Sequence, residues 1–66
     1  MNARYVFILT EADAEDVIVL GVFQSFRGAK DAAPTTGRRA WREIVDGKRW
    51  ARSAFVIEKW AVTNGA

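Results

Sequence analysis

Sixty-six residues with ten basic and eight acidic side chains, a net charge of +2, and neither cysteine nor histidine leave little room for chemistry. A disulfide staple is excluded, a zinc site lacks its usual ligands, and the commonest general base is missing. The length holds one domain, residues 1–66, and a domain this small buries only about 60% of its unfolded surface, so aromatic packing or association has to stabilise it.

The charge is uneven along the chain. Residues 1–26 set Arg4 against Glu11, Asp13, Glu15 and Asp16, whereas residues 38–52 set Arg38, Arg39, Arg42, Lys48, Arg49 and Arg52 against Glu43 and Asp46. The domain therefore has an acidic end and a basic end. No apolar run approaches the roughly 20 residues needed to cross a bilayer, and no signal-peptide pattern is visible, so a cytoplasmic location is expected.

Residues 4–10, RYVFILT, predict a strand with Tyr5, Phe7 and Leu9 on one face and Val6 and Ile8 on the other. Glu11 to Asp16 reads as a solvated connection too long for a two-residue turn, giving a hairpin with an acidic tip. Its carboxylates lack the glycine and closing glutamate of a calcium loop, so no metal is expected there.

Residues 16–24 predict a second strand. Ile18, Leu20 and Val22 share one face, Val17, Val19 and Phe23 the other, and both are apolar. Such a strand is expected at the centre of a sheet, or with its second face against another surface. Gly21 interrupts it and suggests a bulge or a close backbone approach. Ser25 then stands where a helix N-cap belongs, Phe26, Ala29 and Ala33 follow at helical spacing, and Pro34 ends a short helix over 26–33.

Residues 34–40 read as a loop, and residues 41–52 admit two readings. As a hairpin, Asp46-Gly47 forms a two-residue turn that sets Val45 opposite Lys48, Glu43 opposite Trp50 and Trp41 opposite Arg52. As a helix, Thr36 caps it, Trp41, Ile44 and Val45 make the stripe, and Gly47 stops it. The hairpin is favoured, because the helix would place Arg38 and Arg39 at its positive end and Glu43 and Asp46 at its negative end. Residues 54–62 close the chain as a strand, with Phe55 and Ile57 on one face and Val56, Trp60 and Val62 on the other. Glu58 and Lys59 suggest an edge or partly solvated position for it. The expected fold is α+β, a mainly antiparallel sheet with the helix on one face and an open, apolar far face that a homodimer would bury.

The pattern Tyr5-Val6-x-x-x-Thr10-Glu11, a short acidic turn, Val19-x-Gly21-Val22-Phe23-x-Ser25, Ala29 with Ala32 or Ala33, and Val56-Ile57-Glu58-x-Trp60-x-Val62 resembles a group of small proteins of bacteriophage and prophage genomes, common in actinobacteria. The resemblance covers most of the chain. It implies a viral or prophage origin, and with it the host cytoplasm, and a strand–strand–helix start. It carries no catalytic residues.

Function is expected to lie on the surface. No nucleophile–base pair or phosphate loop is present, and Ser25 is better used as a cap, so no catalysis and no cofactor are expected. The leading expectation is a non-enzymatic module that binds a host or viral protein, with Trp and Arg as contact residues. The competing one is a nucleic-acid binder in which Arg38, Arg39, Arg42, Lys48, Arg49 and Arg52 hold phosphates while Trp41 and Trp50 stack on bases.

Overall fold

The computed structural model describes residues 4–13, 15–34 and 40–62. The two β-branched runs form β1 (Arg4–Asp13) and β2 (Asp16–Phe23), followed by α1 (Phe26–Ala32), β3 (Arg42–Val45), β4 (Arg49–Arg52) and β5 (Phe55–Val62). Every pairing is antiparallel, in one sheet of order β2-β1-β5-β4-β3. At about 1.5 Å per residue, seven helical residues span only about 10 Å, against a longest molecular dimension of 40 Å. The fold is therefore mostly sheet with one short helix, rather than a balanced α+β domain.

The core forms where that helix meets the sheet. Leu9 and Ile57 face each other across the central pair β1 and β5, and both are fully buried. Each contributes about 2 kcal/mol by leaving water. Ala29 and Ala33 bring the helix backbone close to them, and Phe55 completes the cluster. Phe7, Phe23, Phe26, Trp41 and Trp50 surround it, half-buried. Ser25 caps the helix as its spacing predicts, its Oγ accepting from the Gly28 amide at 3.0 Å. At the other end Ala33 turns extended before Pro34, its amide bonded back to the Ala29 carbonyl at 3.2 Å.

Residues 41–52 contain the β3–β4 hairpin, which sets the helical alternative aside. Glu43 pairs with Trp50 as the spacing predicts, but Val45 opposes Arg49 rather than Lys48. The register shifts between Glu43 and Val45, and three residues turn the chain. The Lys48 amide donates to the Val45 carbonyl at 2.9 Å, and only Gly47 of the pair Asp46-Gly47 has positive φ, at 63°. The type I′ turn that Asp-Gly favours in a two-residue hairpin needs both.

Three further expectations are corrected. The stretch 16–24 is not central: β2 is an outer strand, with Val17 69% and Val19 60% exposed. β5 is not at an edge but lies between β1 and β4, and the partly solvated alternative holds, Glu58 and Lys59 both being half-buried. The connection after β1 is not a long tip, because β1 continues to Asp13 and pairs it with Asp16, leaving only two residues between the strands. The bulge expected from Gly21 lies beside it. Leu9 opposes Gly21 and Thr10 opposes Val19, so Leu20 is the extra residue. The rest of the 34–40 loop, including Thr36, and the tail from Thr63 fall outside the described residues.

Candidate functional site

Alternation in the observed registers sorts the side chains into two faces. Phe7, Leu9, Trp50, Arg52, Phe55 and Ile57 point to the helix side. The opposite face carries Val6, Ile8 and Thr10 of β1, Val17, Val19 and Val22 of β2, and Val56, Glu58, Trp60 and Val62 of β5. At its centre Thr10 is buried, its hydroxyl donating to the Val56 carbonyl at 3.4 Å. Around it Val17, Val19, Val22, Trp60 and Val62 are all exposed. The bulge at Leu20 creates this stripe: it moves Val22 onto the face of Val17 and Val19, where simple alternation would have opposed them.

The basic Trp/Arg segment does not form one surface. Arg38 and Arg39 lie outside the described residues. Trp50 packs on Phe7 and Phe26, with ring centroids 6.3 and 4.6 Å away, and Trp41 meets Phe26 edge-on at 6.4 Å. Both indoles thus stand on the helix side, half-buried. Arg52 lies over Trp41 at 4.7 Å and donates to the Pro34 carbonyl at 3.2 Å, tying the end of the helix to the entrance of β3. Arg42 is exposed opposite Ala51, facing the open side. Arg49 faces the same way and pairs with Glu58 at 3.7 Å. Lys48 is exposed in the hairpin turn, its carbonyl accepting from the Lys59 amide at 2.7 Å.

Beyond that bond β4 stops and β5 continues to Val62, which leaves a notch of about 730 Å³ lined by Tyr5, Val45, Lys48, Lys59 and Trp60 among others. Lys59 Nζ sits 4.2 Å above the Tyr5 ring at its wall. Trp60 belongs to both the notch and the open face, which makes the two continuous. The sequence signals this indole only through the alternation Val56, Trp60, Val62. The concentration of charge in residues 38–52 points elsewhere.

The chain matches no protein-family model, and no curated protein or solved structure is significantly similar to it. Among the described residues no helix is long and apolar enough to cross a membrane.

Proposed function

We propose that the protein is a non-enzymatic interaction module that binds another protein through the open face of its sheet. The observation that carries this reading is the exposed stripe Val17–Val19–Val22 continuing across the sheet to Trp60 and Val62. A face of this kind on a small domain is a large contiguous apolar surface with an indole at its margin, the composition of an interface centre. The Arg49–Glu58 pair and Arg42 stand beside it as a polar rim. The resemblance to phage proteins, which rests on short motifs, supports a bacterial host or viral partner.

The nucleic-acid reading draws less support from the same geometry. Its stacking residues Trp41 and Trp50 pack against Phe26, and Arg52 is engaged with Trp41 and Pro34. Arg42, Lys48 and the Glu58-paired Arg49 remain as exposed bases for phosphate among the described residues of that segment.

The test is affinity capture from bacterial lysate, with and without nuclease treatment, using three baits: the parent chain, Trp60→Glu with Val62→Lys, and Arg42→Ala with Lys48→Ala. A prey held by the parent and the basic-residue variant but lost from the open-face variant supports the reading. Capture that survives the open-face changes, or nucleic acid recovered in a manner abolished by Arg42→Ala and Lys48→Ala, refutes it.

A further inference from the structure

Among the described residues β2 is the last strand on its side of the sheet, and apart from Asp16 and the Leu20 bulge its sequence carries none of the usual edge protection. Val17, Ile18, Val19 and Leu20 are all exposed, and no lysine, arginine or proline occurs from Asp16 to Gln24. Outer strands normally carry such residues because their free backbone groups recruit other strands.

Outside the central Val19–Leu20 step, the facing order along β2 also reads the same in both directions. Asp16, Ile18, Gly21 and Phe23 belong to the helix side and Val17, Val19 and Val22 to the open side, with Leu20 as the bulge residue between them. A regular strand laid antiparallel on its own copy over this span would oppose Asp16 and Phe23 with mismatched facing, because the two are seven positions apart. The bulge removes the mismatch. With a twofold axis between Val19 and Leu20, Asp16 meets Phe23, Val17 meets Val22 and Ile18 meets Gly21, each pair on a common side.

We propose that β2 is the docking edge for a second copy of this chain, the two strands pairing antiparallel into one continuous sheet. Charge selects this orientation. It brings the exposed Asp13, Glu15 and Asp16 of one copy alongside the start of α1 in the other, where Lys30 is exposed and the Arg27 side chain, 3.9 Å from Asp31 in a loose surface pair, is still 88% exposed. Parallel pairing would set the acidic ends together. On the helix side Ile18 comes to lie against the Phe23 ring that covers Gly21 in the other copy; that ring stands 2.9 Å from where a Gly21 Cβ would be. The open faces of the two copies become coplanar and stay uncovered, so this inference is independent of the reading proposed above.

Sedimentation equilibrium on the full chain tests it, with circular dichroism of each variant to verify the fold. The parent is expected to reach a dimer of twice the 7.4 kDa chain mass at micromolar concentration. Ile18→Lys should leave it monomeric. Asp16→Arg and Arg27→Glu should each weaken the dimer by about tenfold, since symmetry counts every cross-copy charge pair twice, and the double exchange should restore it. Trp60→Glu, on the open face, should leave the dimer intact. A parent that stays monomeric overturns the proposal. So does a dimer indifferent to the Asp16 and Arg27 exchanges, and a dimer dispersed by Trp60→Glu shows instead that the copies meet face to face.

Discussion

The indole of Trp50 lies 4.6 Å from the ring of Phe26, tilted by 48°, and through this contact the β3–β4 hairpin is joined to the helix. Phe7 completes the group, with Phe26 6.2 Å away edge-on and Trp50 6.3 Å away. Trp50 thus bridges parts of the chain that the backbone ladder alone would leave apart. Trp50→Ala is expected to cost about 3 kcal/mol, the lower end for a large aromatic because the residue is only half-buried. Trp60→Ala, at 55% exposure, should cost less than about 1 kcal/mol. Urea unfolding monitored by circular dichroism checks both. Equal losses would mean that Trp50 does not hold the hairpin to the helix.

The contrast between these two indoles also marks how far the sequence could be read. Alternation correctly divides β1 and β5 into faces, since Tyr5, Phe7 and Leu9 on one strand and Phe55 and Ile57 on the other recur at two-residue spacing and turn to the helix side, where Leu9, Phe55 and Ile57 are buried. Ser25 and Pro34 bracket the helix because each acts locally, one on an orphan amide and the other on the preceding backbone. Strand order is a different matter. The apolar faces of β2 read as central, yet whether a strand lies beyond it depends on residues elsewhere in the chain, and β2 is an edge. Gly21 hints at the bulge locally, but that Leu20 is the extra residue depends on the pairing with β1, and it decides which valines share the open face with Trp60. In the basic segment, Trp41 and Trp50 look alike as stacking residues or core residues until the position of Phe26 is known.

The β4–β5 turn leaves no signature in the sequence at all. Arg52 pairs with Phe55, so Ser53 and Ala54 turn the chain, and Ser53 takes φ of 55°, a left-handed conformation that costs an L-residue about 1–2 kcal/mol. The twist of antiparallel hairpins favours such a turn, and the Ala54 carbonyl is held by the Ala12 amide at 2.8 Å, which fixes the geometry from the β1 side. Ser53→Gly is therefore expected to stabilise the protein by up to about 1 kcal/mol, the relief of strain being partly offset by glycine's greater freedom when unfolded. A rise of the thermal midpoint checks it; a fall would show that the serine hydroxyl contributes more than the backbone strain costs.

Arg49 and Arg52 are separated by three positions and have different tasks. Arg52 donates to Pro34 and stacks on Trp41, closing the loop between helix and hairpin, while Arg49 makes one partly exposed ion pair with Glu58. Arg52→Ala should cost about 1–2 kcal/mol, a charged hydrogen bond together with a cation–π contact. Arg52→Lys should recover less than half of this, because an ammonium lacks the planar fork that stacks and donates at once. Arg49→Ala should cost less than about 1 kcal/mol, as a surface pair does, and that loss should shrink in high salt. Chemical denaturation at low and high ionic strength separates the three. If Arg52→Ala were neutral, Arg52 would be available for surface contacts with the rest of the basic segment.

Tryptophan emission reports directly on the open face, because the three indoles differ in exposure. Trp41 and Trp50 stand half-buried among Phe7 and Phe26, while Trp60 projects from the opposite side at 55% exposure. Acrylamide should therefore quench one red-shifted component strongly and the remainder weakly, and Trp60→Phe should delete the strongly quenched component while shifting the residual emission to the blue. The same signal distinguishes the open face from the β2 edge. A protein partner seated on the open face excludes water from Trp60 and should protect it from quencher, whereas pairing of two copies through β2 lies at the sheet margin and should leave its quenching nearly unchanged. Protection of Trp60 on raising the concentration of the pure chain would place self-association on the open face, and an unprotected Trp60 in a saturated partner complex would remove that face from the interface.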